Sequence, residues 1–251
     1  MTADHARRLL TAVGPITHLR VVELACGDGE LSQALADAVG AGGRVLAGDI
    51  ADEAVRRARA RLIRHANVTV ARFDAHQIPC ADGSVDVVIA GMLLMLTDRP
   101  RSVLEDVRRV LRSGGRVGAS VWGMAQDNPW LSLIGAALTR SELAVRAAPA
   151  ARPGGPFALA RPDTLRRLVS SAGFEDVHIE RVDSVLSCAD HHAYLEYTRA
   201  RLPSVAAALD RADERRRARL LEVLESATRR FRSDGELRLP VSALVCTGSV
   251  R

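Results

Sequence analysis

Residues 21–31 read Val-Val-Glu-Leu-Ala-Cys-Gly-Asp-Gly-Glu-Leu: an apolar run carrying one carboxylate, Glu23, then a turn of small residues with glycine at 27 and 29. An amphipathic run from Leu31 to Val39 follows. Glycine reaches positive φ and puts no Cβ between the backbone and a ligand. The open N–H groups at the start of a helix attract an electron-rich or anionic group. A second apolar run ends at Asp49-Ile50. An acid in that place suits both hydroxyls of a ribose, and the apolar residue after it can pack on the face of a base. The dinucleotide fingerprint G-x-G-x-x-G fits only in part: Gly27 and Gly29 take its first two places, but Ser32 stands in the third. The plainer alternatives are a tight turn without a ligand for the two glycines, a turn-bracing hydrogen bond for Glu23 and a solvated strand-end acid for Asp49.

These residues need elements to hold them. Short Val-rich runs at 20–24, 44–48, 68–72, 85–90 and 115–121 predict buried parallel strands. Helical spacing falls between them at 30–39, 52–64 and 100–111, with Asp52 as the N-cap of the second helix and Arg112-Ser113-Gly114-Gly115 as the stop after the third. Strands and helices alternating at this spacing predict a doubly wound α/β sheet. After Trp122 the pattern changes. Helices are expected at 128–148, 162–172, 190–201 and 204–232, a Pro/Gly/Ala-rich stretch at 149–156, and strands at 174–187 and 236–250.

The turn at 25–29, with Glu23 before it and Asp49 after the second strand, resembles motif I and the ribose acid of class I S-adenosylmethionine (SAM) dependent methyltransferases. The family pattern is (D/E)-x-G-x-G-x-G, and Ala25 here replaces the first glycine, a departure that reads as sterically mild. Phe73-Asp74-Ala75, 107–116, Asn128-Pro129-Trp130, Gly155-Pro156-Phe157, 171–174 and 234–240 extend the likeness to the small-molecule branch similar to ubiquinone/menaquinone-biosynthesis and natural-product methyltransferases. The resemblance implies a seven-stranded Rossmann-like sheet whose last strand is antiparallel. It implies a SAM-binding core at 1–122, a helical cap at 123–160, and a C-terminal part of the core at 161–251 with a helical insertion at 188–234. SAM is the implied cofactor and S-adenosylhomocysteine (SAH) the product. The implied cofactor residues are Glu23, Ala25, Gly27, Gly29, Asp49, Ile50, Asp74, Ala75 and Gly91. At Asp74 the carboxylate would accept from the adenine amine and the Ala75 N–H would donate to a ring nitrogen; the alternative for Asp74 is a loop cap. Family members carry a longer N-terminal helical lid, whereas here Asp4–Val13 has room for one short helix.

A base is harder to find. Related enzymes often place a His or an acid after the fourth strand, but 91–96 read Gly-Met-Leu-Leu-Met-Leu. His191 and His192 are the weak candidates, with a solvated helix cap as the plainer account. Met92, Leu96, Trp122, Trp130, Phe157 and Tyr194 are the candidate substrate wall, and Tyr194 with Tyr197 suits a helix core equally. Cys26 reads as a packing residue, His76 as structural or near the cofactor, and His178 as facing solvent.

Bulk properties narrow the classes. All 35 basic residues are Arg and the net charge is +5, yet aromatics are 3% and the arginines alternate with acids along helices, which disfavours nucleic acid. No run of 18 apolar residues exists, so no membrane span is expected. The charged N-terminus lacks a signal-peptide core, which points to the cytoplasm. Four scattered Cys without a C-x-x-C pair argue against a metal site or a disulfide framework. The expected partner is a small-molecule substrate, and the chain a monomer or homodimer. The leading expectation is methylation of a small organic metabolite in secondary metabolism, at oxygen first. The alternatives are a cyclase that keeps the SAM site and a non-catalytic scaffold subunit.

Overall fold

The computed structural model describes residues 3–143 and 154–251. The expected helical residues 144–148 and most of the Pro/Gly/Ala-rich stretch, 149–153, lie outside them. The described elements are α1 (Ala3–Val13), β1 (Arg20–Leu24), α2 (Glu30–Val39), β2 (Arg44–Asp49), α3 (Asp52–Arg61), β3 (Val68–Arg72), β4 (Val85–Gly91), α4 (Pro100–Val110), β5 (Leu111–Trp122), α5 (Pro129–Arg140), α6 (Pro162–Ser171), β6 (Glu175–Cys188), α7 (His191–Arg201), α8 (Pro203–Asp210), α9 (Glu214–Thr228), β7 (Arg232–Ser233) and β8 (Glu236–Ser249). Among them no helix is long and apolar enough to cross a membrane.

The sheet order is β3-β2-β1-β4-β5-β8-β6, with the two-residue β7 paired only to β8. β1 runs parallel to both β2 and β4, β3 is parallel to β2, and β5 is parallel to β4. β8 is antiparallel to β5, from Arg116 opposite Ser249 to Trp122 opposite Ala243. β1 and β4 are buried along nearly their whole length, as expected for strands covered on both faces. The chain leaves β1 toward β2 and β3, then returns to the other side of β1 as β4. In an open parallel sheet such a reversal opens a crevice beyond the carboxyl ends of the two strands.

Two compact units divide the chain: 1–122, 153–182 and 243–251 form the first, and 123–152 and 183–242 the second. In the first, His5, Leu9 and Val13 recur every fourth residue and form the buried face of α1. Leu9 and Val13 join Leu31, Leu35, Val39, Val87, Ile89 and Val245 in one apolar cluster. Gly118 of β5 makes this approach possible, since a Cβ there would lie 2.3 Å from Val13 Cγ2. In the second unit, α5 packs on α9 and α7 on both α8 and α9. Asn128 is fully buried and joins this unit's strand segment to its helices. Its Nδ2 donates to the Ser242 carbonyl (2.9 Å), and its Oδ1 accepts from the Ser242 N–H (3.0 Å) and the Trp130 indole (3.2 Å).

Four expectations are corrected. The 112–115 stretch does not precede the fifth strand: α4 ends at Val110 and β5 begins at Leu111, which pairs with Val85. Because Arg116 then pairs with Val87, the intervening residues bulge out around Gly114, whose φ is 72°. The N-cap of α3 is Ala51, not Asp52, because the Asp49 carboxylate takes the Ala51 N–H. The helix expected at 204–232 is broken: α8 ends at Asp210, and Asp213 caps α9 by accepting the Arg216 N–H. Among the described residues the sheet has eight strands rather than seven, the extra one being the two-residue β7.

Asn128→Ala should leave the Ser242 N–H without its buried partner, while the Ser242 carbonyl keeps the Gly123 N–H at 2.9 Å, at a cost of about 1–3 kcal/mol. Urea unfolding should show a lowered midpoint with an unchanged m-value.

Candidate active site

The turn after β1 is the most distorted stretch of backbone near the crevice. Ala25, Gly27 and Gly29 all have positive φ, at 55°, 59° and 82°. Two hydrogen bonds hold this path: Cys26 N–H donates to the Gly48 carbonyl and Gly29 N–H to the Cys26 carbonyl (2.9 and 3.0 Å). The glycines are not equivalent. A Cβ on Gly29 would crowd Ala58 and Leu62 of the helical layer, whereas a Cβ on Gly27 would meet nothing within 4 Å. Gly29 therefore serves helix packing, and Gly27 opens onto the crevice. The expectation of a mild exchange at Ala25 is corrected on the backbone side: a left-handed L-residue costs about 1–2 kcal/mol. A second non-glycine of this kind, Met92 (φ 56°), follows Gly91 at the end of β4. Strain of this kind clusters at ligand sites, and here it sits at the carboxyl ends of β1 and β4.

Asp49 ties the crevice together. One carboxylate oxygen accepts the Gly27 N–H and the other the Ala51 N–H, both at 2.9 Å. Each oxygen keeps a lone pair for a hydroxyl. Ile50 next to it is 61% exposed, unusual for its size. Phe73 packs over β2, where a Cβ on Gly48 would fall 1.9 Å from its ring. Asp74 Oδ1 accepts both the His76 N–H (2.9 Å) and the His76 ring Nδ1–H (2.7 Å). These bonds hold the Asp74 carboxyl below its ordinary value. Met92 N–H donates to the Ser120 carbonyl at 2.9 Å.

Glu23 is buried and accepts the Ser32 hydroxyl. Ser32 thus has a bonding role where the dinucleotide fingerprint wants a glycine, a role that the sequence reading missed. Burial first, then the nearby Asp49 and Asp28, pushes the Glu23 carboxyl up to about 8. Glu23 is therefore neutral at neutral pH, and the carboxylates left at this edge are Asp49 and Asp28, the latter paired with Arg61 at 3.0 Å. Burial, with Glu23 next, pushes the Cys26 thiol up to about 12, so it is a packing group rather than a nucleophile.

The remaining candidates lie as follows. Leu96 is 57% exposed, Met92 half-buried, and Trp122 and Phe157 buried, all in the first unit. Trp122 meets His5 edge-on, with centroids 6.0 Å apart. His5 was missed by the sequence reading; its four-residue spacing from Leu9 and Val13 was the signal. Trp130 and Tyr194 belong to the second unit, where Tyr194 is fully buried and its hydroxyl donates to the Trp130 carbonyl. His191 and His192 open α7 in that unit with rings 4.4 Å apart, but the cap is Asp190, which accepts the Ala193 N–H. His178 is exposed. A cavity of about 550 Å³ lies at Gln77, Ile78, Pro79, Cys80, Asp106 and Arg109. Its guanidinium already donates to Asp106, Asp82 and the Ile78 and Cys80 carbonyls, so the groove braces a loop. Among the described residues no cluster is suited to a metal ion.

Strand order and crevice together define a Rossmann-like α/β fold. Residues 21–115, less than half of the chain, match the family described as methyltransferase domain. A demethylmenaquinone methyltransferase of Lactococcus lactis is 33% identical over 112 residues, 44% of each chain. A ubiquinone/menaquinone biosynthesis C-methyltransferase of Burkholderia mallei is 36% identical over 99 residues, 39% of this chain and 41% of that one. The match thus spans less than half the length of these curated relatives. Among solved structures, a SAM-dependent methyltransferase from Aquifex aeolicus aligns with a TM-score of 0.52 and 18% identity over 72% of this chain and 82% of that one. The [4+2]-cyclase SpnF aligns with a TM-score of 0.55 and 16% identity over 98% and 81%. Both show the fold.

The residues present fit SAM: an open cradle at Gly27 and an acid at Asp49 with a free lone pair on each oxygen. Glu23 also makes stability depend on pH. Its folded value, about 8, lies above the ordinary 4.5. Between the two the unfolded chain sheds a proton that the folded chain keeps. Stability then falls as pH rises from 4.5 to 8, by up to about 1.4 kcal/mol per pH unit, and the effect is complete above 8. Glu23→Gln should remove this slope, so that in urea unfolding its stability relative to wild type climbs between pH 5 and pH 8. Ala25→Gly should relieve backbone strain and raise stability by about 1 kcal/mol, seen as a higher Tm.

Proposed function

We propose that the chain transfers a methyl group from SAM to a small organic acceptor, releasing SAH. The observation that carries this reading is the Asp49 carboxylate bonded to the Gly27 N–H, at the reversal of strand order and beside a backbone path of three positive-φ residues. Bound SAM supplies an electrophilic methyl on a cationic sulfur. Gly27 lines its methionine part together with Ala25, Gly29 holds the helix start that closes the turn, and the Gly91 backbone faces the amino group. Asp49 takes the ribose hydroxyls, Ile50 covers one face of the adenine, and Asp74 and Ala75 read its edge. The Asp49 carboxylate favours the cation electrostatically.

The acceptor faces Met92, Leu96, Trp122 and Phe157, which exclude water. With no ionisable side chain at 91–96, alignment of the acceptor with the methyl group carries most of the rate. The apolar wall favours a hydrophobic metabolite, as in secondary metabolism. Oxygen is the acceptor atom we propose first; the name of the Burkholderia mallei relative supports carbon beside it. The same apolar stretch favours a second reading, a cyclase of this fold that uses shape and desolvation instead of proton transfer.

Calorimetric titration with SAH tests the site. Wild type should bind, and Asp49→Ala should bind about tenfold more weakly or worse, on the scale of lost charge-assisted hydrogen bonds. Equal affinity would remove Asp49 from the site, and a wild type that binds neither SAM nor SAH would sink the proposal. Incubation with deuteromethyl-labelled SAM and a panel of quinol, phenol and polyketide acceptors separates the chemistries: label in the product means methylation, and an isomerised, unlabelled product means cyclisation.

A further inference from the structure

His76 does more than close a turn. Its backbone N–H and its ring Nδ1 both meet Asp74 Oδ1, at 2.9 and 2.7 Å, while Nε2 lies 3.3 Å from Thr97 Oγ1. Thr97 stands in the segment that follows β4, and its hydroxyl accepts the Arg99 N–H at 3.1 Å. The ionised carboxylate can only accept, so Nδ1 carries a proton, and in the neutral imidazole Nε2 then accepts from the Thr97 hydroxyl. The result is a directed chain of four groups: Arg99 N–H to Thr97, Thr97 O–H to His76, His76 N–H to Asp74. A bond from residue i+2 back to an Asp side chain is an ordinary Asx turn, and it accounts for the backbone bond alone. It does not account for the ring being engaged at both nitrogens, or for a link across 21 residues to the other side of the crevice.

We propose that His76 is a positioning residue that fixes the Asp74 carboxylate against the adenine edge and couples it, through Thr97, to the segment 92–99 after β4. This deepens the cofactor placement proposed above and rests on it. With Oδ1 held by two donors from one residue, the carboxylate presents Oδ2 in a single orientation for the adenine amine. The same ring limits where Thr97 can sit, and with it the Met92–Leu96 stretch that borders the methyl-transfer position. Cofactor binding at one end of the chain is therefore felt as ordering at the other.

Two isosteric substitutions separate the ends. The amide nitrogen of Asn mimics Nδ1, and the longer Gln reaches toward the Nε2 position. Full-length wild type, His76→Asn, His76→Gln, His76→Ala and Thr97→Val are titrated with SAH and with S-inosylhomocysteine, which lacks the adenine amine. Hydrogen exchange of 92–99 is followed with and without SAH. His76→Ala and His76→Gln should weaken SAH about tenfold, the scale of a misplaced charge-assisted acceptor, and lose most of the preference for SAH over the inosine analogue. His76→Asn and Thr97→Val should stay within about threefold of wild type. SAH should slow exchange at 92–99 in wild type, and that protection should be lost in His76→Asn, His76→Ala and Thr97→Val. Failure of Asn to rescue binding, or unchanged affinity in His76→Ala, overturns the orienting role. Protection that survives in Thr97→Val overturns the coupling. A wild type that does not bind SAH fails at the cofactor reading instead, so the two failures are distinguishable.

Discussion

One carboxylate, Asp49, holds three pieces of the crevice in register. Its oxygens take the N–H of Gly27 in the turn after β1 and the N–H of Ala51 at the start of α3, while its own carbonyl takes the N–H of Phe73. The turn it braces is otherwise unfavourable, because Ala25 must adopt a left-handed conformation. The strain persists because neighbouring bonds over-determine the path. Asp49 is thus at once a structural brace and, in the proposed function, the ribose acid. The two roles are compatible because each carboxylate oxygen can accept more than one hydrogen bond.

Beneath that surface lies a second polar pair, Glu23 and Ser32, sealed by β1 and α2. A buried carboxyl beside two other acids is a poor choice for stability alone. It is tolerated because it keeps its proton in the folded chain and bonds the Ser32 hydroxyl.

The second unit obeys a different logic. Its core, built on Trp130, Ile134, Tyr194, Leu220 and Leu224, holds few ionisable side chains, and its polar anchors face inward. Asn128 satisfies both backbone groups of Ser242, and the Tyr194 hydroxyl meets the Trp130 carbonyl. Asn128 and Trp130 stand out in the sequence only as a motif. Their partners lie 114 and 64 residues away, and no local rule reaches that far.

The sequence by itself determined the alternation of strands and helices, the parallel character of the sheet and the acids around the turn. Those features are local: burial on both strand faces demands runs of Val, and a turn at a strand end demands glycine. It misjudged β5, where the glycines at 114 and 115 make a bulge within a strand rather than a stop before one, and α3, where Asp49 displaced Asp52 in organising the helix start. Only the tertiary structure decided that Ser32 binds Glu23, that His5 faces Trp122, and that His76 joins Asp74 to Thr97. Each is a pairing of side chains on different elements. Sequence periodicity reports which face of an element is buried, but what that face meets depends on the order of strands in the sheet.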